Sequence, residues 1–172
     1  MLEGPMDFTP GVLSLKCQGD SDILSTEAKQ IALYGVLYSP VVMAADTPEN
    51  YAKYPKSFKF IRDVPTDWQD TKVLNSEVGD YVTIARKVRG GEDWYVGGVG
   101  DEQERTSSFD FGFLTPGKTY RAQIYRDGDD ADYRTDKRHS VIYETRDVTS
   151  ADKLTVRIAP GGGFAIRLVP IR

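Results

Sequence analysis

At Trp68 the hydrophobic period of this chain changes from helical to two, and that change constrains the fold more than any other feature. Tyr120, Ala122 and Ile124 alternate with Arg121, Gln123 and Tyr125; Leu154, Val156 and Ile158 alternate with Thr155 and Arg157. Such alternation predicts strands with one buried and one solvated face. Strands are expected near 72–76, 80–87, 93–99, 107–113, 119–126, 140–147, 154–159 and 164–171. Gly79, Gly90-Gly91, Pro116-Gly117, Gly128 and Gly161-Gly162-Gly163 fall between them, where turns need positive φ. The predicted class is mainly β, an antiparallel β-sandwich or Greek-key barrel of about eight strands.

The first third reads differently. Residues 1–24 hold Gly4, Pro5, Pro10, Gly11 and Gly19 with no sustained period, which predicts loop or broken short elements. Ser25 is the expected N-cap of a helix running through Ile31, Leu33, Val36 and Leu37 until Pro40 ends or kinks it. The second half of that helix is apolar nearly all round, so it must be buried on most sides. A second copy of the chain is the expected cover unless the β part itself supplies it. Thr47-Pro48-Glu49 predicts an N-capped short helix stopped by Pro55. The division is therefore 1–63 helical and 64–172 β.

Twenty-two Lys and Arg against 26 Asp and Glu give a net charge of −4, with basic residues scattered among acids. This disfavours nucleic acid as a partner. The longest uncharged run, Ile31 to Ala45, is interrupted by Pro40 and is shorter than the roughly 20 residues of a membrane-spanning helix. No membrane partner is expected. The first eleven residues lack the basic and apolar regions of a secretory signal, so the chain reads as cytoplasmic or as one whose natural start lies upstream. Cys17, the single cysteine, reads as a small buried hydrophobe.

The acidic loop Asp127-Gly128-Asp129-Asp130-Ala131-Asp132 is the most site-like cluster, since hard cations take several oxygens from one turn. Counted from Asp127, the EF-hand positions five and twelve hold Ala131 and Arg138, so Asp127, Asp129 and Asp132 are weak calcium candidates in a solvated hairpin loop. Trp68, Trp94 and Tyr125 are candidates for stacking on a sugar, although adjacent Trp94 and Tyr95 point to opposite strand faces and one belongs in the core. Glu92-Asp93 and Asp101-Glu102 are loop carboxylate pairs with no pocket implied. The acids are expected in turns and on solvated faces, where nothing raises a carboxyl pKa. The glycines of 97–100 and 161–163 are expected to serve turns or bulges.

Gly4-Pro5-Met6-Asp7-Phe8-Thr9-Pro10-Gly11 resembles a stretch near the C-terminal end of the catalytic barrel of glycoside hydrolase family 97. Gln30 to Tyr34 and Ser39 to Tyr51 are similar to that family's closing barrel helix and the segment after it, and Phe60 to Leu74 to its passage into a C-terminal β domain. Gly79 to Arg86, Trp94 to Gly98, Tyr125 to Gly128 and Pro160 to Phe164 are similar to that domain's strands and turns. Lys29, where the family often has histidine, and Gln69-Asp70, where it usually has an acidic pair, depart from the pattern.

The resemblance implies a parent enzyme, periplasmic or secreted, that cleaves α-glucosides or α-galactosides with calcium assistance. Residues 1–63 would be the severed end of its (β/α)₈ barrel, which needs roughly 250 residues when complete. The family's catalytic carboxylates and calcium ligands lie before Gly4, so no catalytic residue and no cofactor is assigned to this chain. Asp7 is a weak substrate-side candidate. The expected role is a non-catalytic region that packs on the barrel and mediates oligomer contacts, with the rest of the parent or another copy as partner. A carbohydrate-binding module using Trp68, Trp94 or Tyr125 is the alternative, with an oligosaccharide as partner, and an autonomous enzyme the third reading.

Overall fold

In a computed structural model of the chain, which describes residue 5, residues 7–17 and residues 21–171, the alternation becomes eight strands. Gly4, Met6 and Gly19 of the expected N-terminal loop lie outside the described residues. The strands are β1 (Trp68–Glu77), β2 (Tyr81–Val88), β3 (Trp94–Gly100), β4 (Arg105–Asp110), β5 (Tyr120–Asp127), β6 (Val141–Val148), β7 (Lys153–Ile158) and β8 (Gly163–Pro170). Six of them form one antiparallel sheet in the order β1-β2-β3-β8-β5-β6, while β4 and β7 pair separately. Gly79, Gly90, Gly117 and Gly161 take positive φ in the turns between strands, as their positions predict.

The small sheet lies on one face of the large one, where Phe109, Leu154, Val156 and Ile158 meet Trp94, Val96, Ile124, Phe164, Ile166 and Leu168 in one buried cluster. The opposite face is not solvated as the alternation predicts. Tyr95, Tyr125 and Ala165 on that face pack against Leu13, Ile31, Tyr34, Tyr51 and Phe60. Strand β3 is consequently buried along most of its length. Alternation along a strand tells two faces apart, but it does not say that a helix from elsewhere covers the second one.

Three helices supply that cover: α1 (Glu27–Val36), α2 (Pro48–Lys53) and α3 (Pro55–Asp63). Thr26, rather than Ser25, is the N-cap of α1; its backbone is extended and its hydroxyl accepts from the Lys29 amide. Ser25 is buried instead, and its Oγ accepts from Gln30 Nε2 at 3.1 Å. Thr47 caps α2 with Pro48 in its first turn, as expected. Pro55 does more than stop α2, because it opens α3, a helix the sequence reading missed. Proline there has the φ a first helical turn needs, and Ser57 and Phe60, three residues apart, form its buried side.

The apolar surround of α1 is accounted for within the chain. The helix lies over β3 and β8, and the sheet, not a second copy, covers it. Gly97 permits this approach: a Cβ built there would stand 2.7 Å from the Ala32 carbonyl and 3.2 Å from the Val36 amide. Gly97 and Gly98 therefore sit inside β3, not in a turn, because a helix backbone and the Phe164 ring occupy the space a side chain would fill. Cys17 is exposed, not buried, with its thiol donating to the Ser21 carbonyl at 3.4 Å. No helix among the described residues is long and apolar enough to cross a membrane.

Gly97→Val tests the seating of α1. Overpacking of this kind lowers stability by about 1–3 kcal/mol. Urea unfolding should show that loss, and an unchanged midpoint would mean that α1 does not rest on β3.

Candidate functional site

Asp127, which the sequence places in a solvated loop, and Arg86 instead hold the two ends of α1. At its amino end, Asp127 is fully buried at the last position of β5. Thr26 Oγ1 donates to Asp127 Oδ1 at 2.6 Å, and the amides of Ala159 and Gly163 donate to Oδ2 at 2.9 and 2.8 Å. Gly162 makes room for the carboxylate, since a Cβ there would fall 2.0 Å from Oδ2. At the carboxyl end, the buried guanidinium of Arg86 donates to the Gly35 and Val36 carbonyls at 2.7 and 3.0 Å, and to Thr71 Oγ1 at 2.9 Å. An acid at the helix amino end and a base at its carboxyl end both oppose the helix dipole.

The expectation that no carboxyl here is pushed up in pKa fails at Asp127. Burial raises it to about 6, outweighing the donors that favour the ionised form. The sequence hid this because Asp127 stands first in a run of acids whose other members are solvated.

The rest of that run does not fit a calcium site. Both oxygens of Asp127 are taken by donors, Asp129 pairs with Arg126 at 3.0 Å, and Asp132 pairs with Arg134 at 2.6 Å and is held down to about 2 by it. Asp130 accepts from Ser140 at 2.6 Å. Among the described residues no group of three or more His, Cys, Asp or Glu is placed to hold a metal ion.

Trp68 and Trp94 are both buried, in different clusters on opposite faces of the large sheet, and Tyr125 is buried beside Phe60 at 5.3 Å between ring centroids. These rings are packed side by side with core residues, not aligned as a platform. Asp7 is exposed in the segment before α1. Glu92 pairs with Lys118, Asp93 with Arg167, and Asp101 with Arg105, which holds Asp101 down to about 2. These loop acids are thus committed to ion pairs on different edges of the fold.

Sequence reasoning also missed a second buried acid. Glu27 is 2% exposed, accepts from Ser57 Oγ at 2.5 Å, and lies 3.3 Å from His139 Nδ1 and 3.4 Å from the Tyr143 hydroxyl. His139 in turn stacks on Tyr54 at 5.2 Å. Ser57 addresses the carboxylate and not the imidazole, so this is no nucleophile–base pair. It clasps α1, α3 and β6 together. A glutamate in the first turn of a helix whose second half is apolar all round was the one signal that could have found it.

A family model described as "Glycosyl-hydrolase 97 C-terminal, oligomerisation" matches residues 67–169. Over 97% of its length the chain is 38% identical to a retaining alpha-galactosidase of Bacteroides thetaiotaomicron, covering 25% of that protein. Over 94% of its length it is 28% identical to a probable retaining alpha-galactosidase of Streptomyces bingchenggensis, covering 23%. A glycoside hydrolase family 97 enzyme from Pseudoalteromonas sp. strain K8, solved in complex with acarbose, superposes with a TM-score of 0.93 and 46% identity over 98% of this chain and 27% of that one. The chain thus spans about a quarter of the length of these relatives.

The buried carboxyl gives a pH signature. Folded, Asp127 keeps its proton up to about pH 6, whereas the ordinary value is 3.8. The folded state binds this proton more tightly, so the stability it contributes is full below about pH 4 and is lost as pH rises through about 6. That difference amounts to about 3 kcal/mol. Asp101 and Asp132 act in the opposite sense, but only below about pH 4. Urea unfolding between pH 4 and 7 should show the decline in the natural chain and a flatter profile in Asp127→Asn; an undiminished decline in the variant would exclude Asp127 as its source.

Proposed function

Because the chain belongs to glycoside hydrolase family 97, as that family's C-terminal oligomerisation domain with the segment preceding it, we propose that it holds copies of a parent glycosidase together and packs on that enzyme's catalytic barrel. The observation that carries this reading is how the matches divide. The oligomerisation match begins at residue 67, one residue before β1, and ends within β8, so it is the sandwich itself. The match to the Bacteroides enzyme extends over nearly the whole chain and so takes in the helical segment. Residues 1–63 are on this reading the end of the parent's barrel, and residues 64–172 the β domain. The segment that closes a barrel then covers the second face of the sheet, with Tyr95 and Tyr125 buried between them.

The parent's chemistry follows from its relatives. The relatives' names point to α-galactoside hydrolysis with retention, and the resemblance of the sequence extends this to α-glucosides. Glycoside hydrolysis needs two carboxyl groups in register about 5–9.5 Å apart around the sugar. The acids described above are instead spread over separate ion pairs and buried contacts at the amino end of α1, so the catalytic pair is assigned to the barrel outside this chain. Calcium assistance is assigned there too. For sugar binding by Trp68 or Trp94, burial of both rings gives no support.

Purified chain should therefore not hydrolyse nitrophenyl α-galactoside or α-glucoside, with or without calcium, and should sediment at twice the monomer mass or more. Turnover above background that Asp7→Asn or Glu92→Gln abolishes would overturn the non-catalytic reading. A strictly monomeric particle at high concentration would overturn the assembly reading.

A further inference from the structure

We infer that the first hairpin, β1–β2, carries the surface through which two copies of this chain meet, a placement that rests on the assembly role proposed above. The inference starts from strand register. On the helix-covered face of the large sheet, Val73 of β1 stands beside Ile84 of β2 and Gly97 of β3, and Ser76 beside Val82 and Val99. Helix α1 covers β3 and β8 but stops short of β1. Val73 is left 60% exposed, and Val82, Ile84 and Val99 only half-buried. At the end of the same hairpin the turn presents Val78 fully to solvent, at the mouth of a groove of about 690 Å³ lined by Lys29, Tyr81, Val82, Val99 and Gly100.

The remaining exposed apolar side chains do not compete for this role. Leu24, Val41, Met43 and Ile171 lie outside residues 67–169, the span matched as an oligomerisation domain. Tyr143 lies inside that span, but its hydroxyl contacts Ser57 and Glu27 and the Lys56 ammonium sits over its ring. Val73 and Val78 are then the large apolar side chains of the matched span, among the described residues, that solvent reaches without such an engagement. Val73 pairs with Ile84, and Val78 lines the groove with Val82, two positions along β2 from Ile84, so the two valines are the ends of one apolar strip, and a contiguous exposed strip marks an interaction surface.

The occupant is a second copy. The match on which the hairpin lies is described as an oligomerisation domain, and the groove carries charges of both signs that a second copy can answer. Arg105 lies 2.7 Å from Asp80 and 2.8 Å from Asp101, so one guanidinium is shared by two of the acids beside the groove, and Glu77 lines the groove as a third. The Lys29 ammonium is turned onto the Gly100 carbonyl at 2.7 Å. Lys29 and Glu77 line the same groove, so a two-fold contact can bring the ammonium of one copy toward the carboxylate of the other. Contact runs through the face of the hairpin and not through its edge: β1 carries register shifts at Trp68/Asp70 and Val73/Asn75, irregularities that blunt strand-to-strand pairing at a sheet edge. A two-fold axis then brings the same patch from both copies together.

Sedimentation velocity over a range of concentrations tests this with the full chain, comparing Val73→Glu/Val78→Glu with Val41→Glu/Met43→Glu. All four positions are at least half exposed, so circular dichroism and the melting midpoint should match the natural chain in both variants. The hairpin variant should associate at least about 100-fold more weakly, the equivalent of about 3 kcal/mol, while the helical-side variant associates like the natural chain. Undiminished association of the hairpin variant, or an equal loss in the helical-side variant, would overturn the placement while leaving the assembly role intact. A natural chain that never associates would overturn the assembly role and the placement with it.

Discussion

The structure depends on a ten-residue helix gripped at both ends by charges from the sheet it lies on. Asp127 reaches the amino end of α1 through Thr26, and Arg86 covers the last carbonyls at the other end. A helix this short is marginal by itself in water. Its stability comes from what it buries and from caps that answer its dipole. The sheet depends on the helix in turn, because Tyr95, Tyr125 and Ala165 would otherwise face water. Gly97 and Gly35 set how closely the two can approach, with the Cβ site of Gly35 only 3.3 Å from the Gly97 amide. The helical segment and one face of the large sheet thus share a core, separate from the one between the two sheets.

That arrangement bears on function through the fate of the acids. A carboxyl group is free for chemistry only when a substrate can reach it. Asp127 and Glu27 are buried and spent on holding elements together, while Asp101 and Asp132 are locked to neighbouring arginines. On the proposed reading the sandwich offers another molecule surface, and the first hairpin exposes Val73 and Val78 on it. This agrees with membership in a family whose C-terminal domain is an oligomerisation domain.

Much of this fold was legible in the sequence because strands and turns are specified locally. Tyr120 to Ile124 and Leu154 to Ile158 alternate as strands must, and Gly79, Gly90, Gly117 and Gly161 stand where the backbone needs positive φ. Thr47-Pro48 marked its helix for the same reason. What escaped depends on partners distant in the chain. Thr26 and Asp127 are 101 positions apart, so neither the shift of the N-cap from Ser25 nor the burial of one acid in an acidic loop could be read from neighbours. Gly97 and Gly98 looked like turn residues because the helix and the ring that exclude their side chains come from elsewhere. The family resemblance reached the right family through short motifs, yet no motif indicated which face of the sheet the helices would cover.

The central claim is that α1 and the sandwich form one cooperative unit, and native-state hydrogen exchange tests it most directly. Amides in the middle of α1, such as those of Ile31 and Ala32, should exchange only through the same global opening as those of Phe164 to Leu168 in β8, with equal free energies and equal sensitivity to urea. Exchange of the α1 amides at a markedly lower free energy, with β8 still fully protected, would show that the helix opens by itself and contradict the account.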